Sequence, residues 1–110
     1  MNLSDEPDNL IDPKLSKADR EKKTNWSVVN CSTSANYFHV LRRQLRREYR
    51  KPLIVASPKK LLRFKEASSD LEDFGAGTKF REVIPDEGKL DPKKVKRIVF
   101  CSGQVYYDLH

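Results

Sequence analysis

At 110 residues, 37% hydrophobic and 35% charged, the chain is one domain at most and can bury only a lean core. No stretch approaches the roughly 18 apolar residues of a membrane span, and the N-terminus lacks the apolar centre of a secretory signal. Asp5, Glu6, Asp8 and Asp12 also make that end too acidic for a mitochondrial transit peptide. The net charge of +6 is concentrated in residues 39–65. There Arg42, Arg43, Arg46, Arg47, Arg50, Lys51, Lys59, Lys60, Arg63 and Lys65 face Glu48 alone, a balance that invites phosphate, carboxylate or nucleic acid.

Residues 1–24 are polar, carry Pro7 and Pro13 and show no apolar period, so they read as a linker or extended arm. A short helical turn is expected at Lys17–Lys23. Trp26–Cys31 is short, β-branched and aromatic, which predicts a buried strand. Ser32 to Ser34 then offer hydroxyls to cap a helix from about Ala35 to Tyr49. Phe38, Leu41, Leu45 and Tyr49 recur at spacings of three and four and predict its buried stripe. His39, Arg42, Arg43, Arg46 and Arg50 fall on another face, an anion-binding position beside the core. Pro52 suits a stop after this helix. Leu53–Ala56 predicts a second strand, whose continuous apolar run suits a parallel sheet covered on both faces. Strand, helix and strand make a βαβ unit, expected to cross over right-handed.

Ser57-Pro58 ends that strand, and Lys59–Phe64 predicts a short helical turn. Residues 65–94, with Gly75, Gly77, Pro85, Gly88 and Pro92, read as a surface connection. Connections of this length more often join two domains than lie within one. Arg97–Cys101 predicts a third strand, Ser102-Gly103 a turn, and Val105–Leu109 the start of a helix. Such a pattern is expected of a piece of a larger α/β protein, or of a subunit completed by another chain. Cys31 and Cys101 form no CxxC pair and are expected to be reduced, partly buried thiols. Gly75-Ala76-Gly77-Thr78 lacks the preceding strand and the lysine of a phosphate loop.

Three segments occur in one order: Ser32-Thr33-Ser34-Ala35-Asn36-Tyr37-Phe38-His39-Val40-Leu41-Arg42-Arg43-Gln44, then Arg50 to Arg63, then Val95 to Leu109. Together, over about residues 25–109, they resemble the decarboxylating component of 2-oxoglutarate dehydrogenase, a thiamine diphosphate enzyme. The resemblance implies an α/β fold: the closing parallel βαβ part of a transketolase-like pyrimidine-binding domain at 25–64, a connection at 65–94, and the first strand and helix start of a C-terminal α/β domain at 95–110. Residues 1–24 would precede it as an arm. It implies that His39 is catalytic, hydrogen bonding to or protonating substrate oxygens, and that Arg42 and Arg43 bind substrate carboxylate. Ser34 stands where the family commonly has proline, which leaves the helix cap available.

The family decarboxylates 2-oxoglutarate with thiamine diphosphate and magnesium, and passes succinyl to a lipoyl-bearing dihydrolipoamide succinyltransferase. The resemblance also implies a homodimeric, mitochondrial parent. The glutamate that activates the cofactor and the magnesium and diphosphate ligands have no match here, so the chain alone is expected to bind no cofactor or metal and to be inactive. Two alternatives stand beside this reading. A 2-oxoadipate-acting relative shares Lys51 to Pro58 and Val99 to Gly103, although Val105 to Leu109 favours 2-oxoglutarate. A non-catalytic basic module could contact nucleic acid through Arg42 to Lys65, but it lacks the interleaved aromatics of a single-strand binder.

Overall fold

Val28 and Val29 in one segment and Ile54 and Val55 in another have the β-branched side chains that favour a pleated surface. In the computed structural model, which describes residues 14–110 except 87 and 89, they pair as β1 (Ser27–Val29) and β2 (Leu53–Val55). The strands run parallel, with Ser27 opposite Leu53, Val28 opposite Ile54 and Val29 opposite Val55. Backbone bonds from Ser27 to the Pro52 carbonyl (3.0 Å) and from Ala56 to the Val29 carbonyl (2.8 Å) extend the ladder. Both strands are shorter than expected, and the sheet is not covered on both faces. Val28 and Ile54 share one face and are 43% and 44% exposed. A two-stranded ribbon with one packed side leaves its other row of side chains in water.

A longer helix lies between the two strands. The chain first forms α1 (Lys17–Lys23), then β1, then α2 (Ser34–Arg46). The residues 1–13 part of the expected arm lies outside the described residues. Thr33 is the hydroxyl that caps α2, its Oγ1 accepting from the Asn36 amide at 3.3 Å. Ser32 does something else, described below. The helix ends three residues earlier than predicted, because Arg47 turns extended (φ −67°, ψ 141°). There its guanidinium meets Glu21 at 3.1 Å and the Ser27 hydroxyl at 3.3 Å.

The predicted buried stripe of α2 is a correction. Phe38 and Leu41 are each 42% exposed and Leu45 is 80% exposed. The buried residues are Ala35, Asn36, His39 and Val40, with Val40 at 1%. Periodicity identifies an apolar stripe, but the face that is covered depends on what packs there. Here the cover comes from the segment read as a surface connection. Ser69 Oγ accepts from the Ala35 amide at 3.1 Å. Asn36 pairs with the backbone of Arg81 in both directions, donating at 3.0 Å and accepting at 2.8 Å. Ala67, 5% exposed, joins Cys31, Ala35 and Val40 in a small core. The segment carries short 3₁₀ turns at Lys65–Ala67 and Leu71–Phe74, after another at Lys59–Arg63. From Arg81 onward, every described residue of the segment is exposed.

The predicted third strand is also corrected. Residues 95–100 are exposed, with Ile98 at 72% and Phe100 at 86%, and carry no ladder. A strand is held by its inter-strand bonds, and the sheet of the described residues contains β1 and β2 alone. The helix start is present as α3 (Gln104–Leu109). It docks on the turn after β1: the Gly103 amide donates to Ser32 Oγ at 2.9 Å, and the Tyr107 hydroxyl donates to the Ser32 carbonyl at 2.7 Å. Phe64 packs edge-on against Tyr107 at 5.2 Å. Both cysteines are free as expected, but only Cys31 is buried; Cys101 is exposed. Burial raises the Cys31 thiol pKa, which Arg43 partly offsets.

Burial, then the neighbouring Tyr106 and Glu66, also raise the Tyr107 phenol above its ordinary value of 10.0. A raised folded pKa means stability that is complete below the unfolded value and lost as pH rises through the folded one. The docking of α3 should therefore weaken on alkaline titration above about pH 10. Tyrosine absorbance should show one of the four tyrosines ionising late, and Tyr107→Phe should remove that late component.

Lys51 ties α1 to the sheet. Its ammonium donates to the carbonyls of Glu21 (3.4 Å), Lys22 and Thr24 (2.5 Å), at the C-terminal end of α1. A cation there satisfies orphan carbonyls and complements the helix dipole. Lys51→Met should loosen α1 by about 0.3–1 kcal/mol. The check is faster amide exchange at Lys17–Thr24 with β2 unaffected.

Candidate functional site

The site is built on the covered face of α2. His39 sits one turn after Ala35 and beside Val40, so the helix period carries it into the core rather than onto the basic surface. It is 3% exposed. Its Nε2 lies 2.7 Å from the Asp73 carbonyl, in the 3₁₀ turn Leu71–Phe74. Its Nδ1 is buried and has no hydrogen-bond partner among the described residues. Phe38 packs edge-on against the imidazole at 5.1 Å, and Phe74 against Phe38 at 5.5 Å.

The arginines expected to bind carboxylate are engaged by the same covering segment. Arg42 Nη2 donates to the Thr78 carbonyl at 2.9 Å. Arg43 stacks over the Phe80 ring at 4.1 Å and lies 3.6 Å from Glu82. Burial and the nearby Arg47 lower the Arg43 pKa more than Glu82 raises it. A guanidinium stays charged at pH 7 regardless. Glu82 is held below its usual range, first by the hydrogen bond from Lys17 at 2.6 Å and then by the cations around it. That carboxylate is half exposed, so solvent screens the pair.

These groups line a concavity of about 470 Å³. Its cations are Lys17, Arg42, Arg43, Arg46, Arg47 and Lys79, against Glu21 and Glu82. The wall is therefore net positive, with His39 in it. Of the predicted basic run, Arg43 and Arg47 are paired, Arg47 with Glu21. Lys60 pairs with Asp108 on α3 at 3.6 Å. The run is thus a set of internal ties as much as a free basic surface. His39, Arg42 and Arg43 line the same concavity. Asp73, Thr78, Phe80 and Glu82 were not foreseen, since two act through backbone carbonyls, which no side-chain pattern reveals. Phe80 and Glu82 lay in a stretch without periodicity.

Among the described residues, no three His, Cys, Asp or Glu side chains are placed to hold a metal ion. No donor set among the described residues fits magnesium. What they offer is an orphaned imidazole nitrogen and guanidinium donors, suited to an organic acid.

The parallel βαβ unit is that of a transketolase-type α/β domain: the transketolase pyrimidine-binding domain family matches residues 21–65. The family described as 2-oxoglutarate dehydrogenase C-terminal matches residues 68–110. The chain is 55% identical over 87 residues to the mitochondrial 2-oxoglutarate dehydrogenase-like protein of Xenopus laevis, covering 77% of this chain and 8% of that one. It is 53% identical over 88 residues to the mitochondrial 2-oxoglutarate dehydrogenase of Caenorhabditis elegans, 78% of this chain and 9% of that one. The Dictyostelium discoideum mitochondrial enzyme of the same name is 46% identical over 114 residues, 99% of this chain and 11% of that one. The chain belongs to the 2-oxoglutarate dehydrogenase family. It spans about a tenth of the length of the curated relatives it matches.

Proposed function

We propose that this chain is part of a decarboxylating component that acts on 2-oxoglutarate and passes succinyl to a lipoyl-bearing succinyltransferase in the tricarboxylic acid cycle. The observation that carries this is the joint placement of His39, Arg42 and Arg43 on one net-positive concavity, with an imidazole nitrogen left unpaired among the described residues. His39 is the catalytic group, and Arg42 and Arg43 hold substrate carboxylate with the guanidinium donors left after Thr78 and Glu82 are served. Thiamine diphosphate supplies the electron sink for decarboxylation when bound. It and magnesium belong to the whole enzyme, and no residue of this chain is assigned to either.

Within that enzyme, residues 25–64 close the pyrimidine-binding domain, 65–94 connect it onward, and 95–110 open the C-terminal domain, with residues 1–24 as an arm. The parent is a mitochondrial homodimer by the same reading, and the mitochondrial relatives support the compartment. No described helix is long and apolar enough to cross a membrane.

The test is a full-length chimera carrying residues 21–110 in place of the matching segment of the Dictyostelium discoideum relative. Release of carbon dioxide from 2-oxoglutarate should stay within about tenfold of the host enzyme, a barrier change below about 1.4 kcal/mol. A folded, cofactor-loaded chimera without turnover overturns the reading. Turnover of both acids by the full-length parent separates 2-oxoglutarate from 2-oxoadipate.

A further inference from the structure

Resting on the reading of Arg42 and Arg43 as the carboxylate-binding pair, we propose that Asn36 is a positioning residue for that pair. Its amide clamps the Arg81 backbone, and the clamp seats Thr78, Phe80 and Glu82 so that both guanidinium groups are held in place before substrate arrives.

Asn36 lies on the covered face of α2 and is 9% exposed. Its Nδ2 donates to the Arg81 carbonyl at 3.0 Å, and its Oδ1 accepts from the Arg81 amide at 2.8 Å. One planar side chain thus serves both backbone groups of a single residue, as a neighbouring strand would. The clamp spans 45 positions of the chain. Arg81 is itself exposed and lies outside any helix or strand, so these two bonds fix its backbone.

The neighbours of Arg81 are the residues that meet the two arginines. Phe80 directly precedes it, and its ring lies 4.1 Å from the Arg43 guanidinium. Glu82 directly follows it and lies 3.6 Å from Arg43 Nη1. Thr78, slightly earlier, accepts from Arg42 Nη2 at 2.9 Å. Asn36 and Arg43 are also about two helical turns apart on α2, which puts the clamp and the guanidinium on one face. A two-bond anchor at Arg81 therefore stops residues 78–82 from sliding along that face.

Stacking uses the flat side of a guanidinium and leaves its in-plane N–H groups pointing outward. Arg42 gives one of its five donors to Thr78. The other donors on each arginine are aimed without being consumed by these contacts, which suits a pair of carboxylate oxygens. An arginine that wanders in the free protein loses rotamer freedom on binding, and that cost falls on affinity. The Asn36 clamp moves the cost from the binding step to folding. Ser69 ties the same segment to α2 through the Ala35 amide at 3.1 Å, but well before Thr78 in the chain, so it serves as the control.

In the 110-residue chain, the Arg81 amide should exchange slowly although its residue is exposed, and the Phe80 ring should move the Arg43 Nε–H resonance upfield. Asn36→Leu keeps the side-chain volume and removes both bonds. It should free the Arg81 amide and return Arg43 to its ordinary shift, whereas Ser69→Ala should change neither. An Arg81 amide that exchanges like an unprotected peptide in the unsubstituted chain overturns the proposal, and that measurement needs no variant to fold. An Arg43 resonance unmoved by Asn36→Leu overturns it too.

In the chimera, Asn36→Leu should raise KM for 2-oxoglutarate by about 5–150-fold, the cost of ordering two arginine side chains on binding, with kcat little changed. In a chimera already carrying Arg42→Met and Arg43→Met, Asn36→Leu should raise KM no further, because it acts through those groups. Ser69→Ala should leave KM as it is. An unchanged KM in Asn36→Leu, or an effect that simply adds to that of the arginine substitutions, overturns the proposal. The exchange and shift measurements need neither substrate nor turnover. A clamp that behaves as expected in a chain whose chimera is inactive sinks the enzymatic reading alone, and an active chimera whose KM ignores Asn36→Leu sinks this inference alone.

Discussion

His39→Gln in the chimera should lower kcat by about 10²–10⁴-fold, the usual worth of a positioned acid–base group. That range corresponds to about 3–5 kcal/mol of lost transition-state stabilisation. Glutamine is the informative substitution. Its amide nitrogen can replace Nε2 as a donor to the Asp73 carbonyl, which the native ring approaches at 2.7 Å. Its amide oxygen can accept a hydrogen bond but is far too weak a base to take a proton. The turn Leu71–Phe74 should therefore remain seated on α2 while proton transfer is lost. Steady-state kinetics decides the matter, with circular dichroism as the check on folding. A fall in kcat with KM little changed is expected, because the lost interaction is made in the transition state. A change below about tenfold would assign His39 to the core rather than to the chemistry.

Gly103→Ala should release α3 from the rest of the chain. Gly103 sits at φ +62° and ψ −137°, a conformation that glycine adopts freely and other residues resist. An added Cβ would also lie 2.2 Å from Asn30 Oδ1 and 2.7 Å from Asn30 Cγ. The backbone strain alone costs about 1–3 kcal/mol. That is comparable to the few contacts that dock α3: the Gly103 amide on Ser32 Oγ, the Tyr107 hydroxyl on the Ser32 carbonyl, and the Phe64–Tyr107 ring pair. Amide exchange at Gln104–Leu109 should approach that of an unprotected peptide, and the late tyrosine ionisation should move back to the ordinary range. Gly77→Ala is the control. Gly77 also has a positive φ, +84°, but a Cβ there meets nothing within 4 Å. It should pay only the backbone penalty, with α3 still docked.

The two positions show how differently legible the parts of this chain are. Ser102-Gly103 was readable as a turn before a helix because glycine punctuates chains. That this glycine lies against Asn30 and Ser32, some seventy positions earlier, is a tertiary fact. The hydroxyls of Ser32 and Thr33 looked equivalent as caps. Thr33 caps α2, and Ser32 is spent on Gly103, a choice that depends on where α3 lands. The parallel pairing of β1 and β2 was legible because two short β-branched runs flank one helix-length segment. The third strand was misread for a related reason. Ile98, Val99 and Phe100 have strand propensity, but propensity cannot supply a neighbour to bond with, and they stay exposed.

The basic face of α2 carries the same lesson for the site. Reading along the sequence places His39 with the arginines, since it shares no step of the Phe38–Leu41–Leu45 stripe. Helical geometry also places it one turn from Ala35 and next to Val40, and either grouping is consistent with the period. What chose between them was the return of residues 67–82. Their anchors are specific and polar: the Asn36 amide with the Arg81 backbone, Ser69 with Ala35, and Phe80 under Arg43. None of these repeats at a helical or strand spacing.

By itself, the sequence determined the βαβ order, the capped start of α2, the charge excess of residues 39–65 and the motifs that mark the family. Each is a property of neighbours along the chain or of composition, and local sterics and charge act at that range. The tertiary structure alone decided that His39 is buried, that its Nε2 faces a carbonyl while its Nδ1 has no partner among the described residues, and that Arg42 and Arg43 lean on a segment nearly forty residues away. Those outcomes depend on loop closure and on backbone carbonyls, which every residue possesses and which therefore leave no mark in the order of side chains.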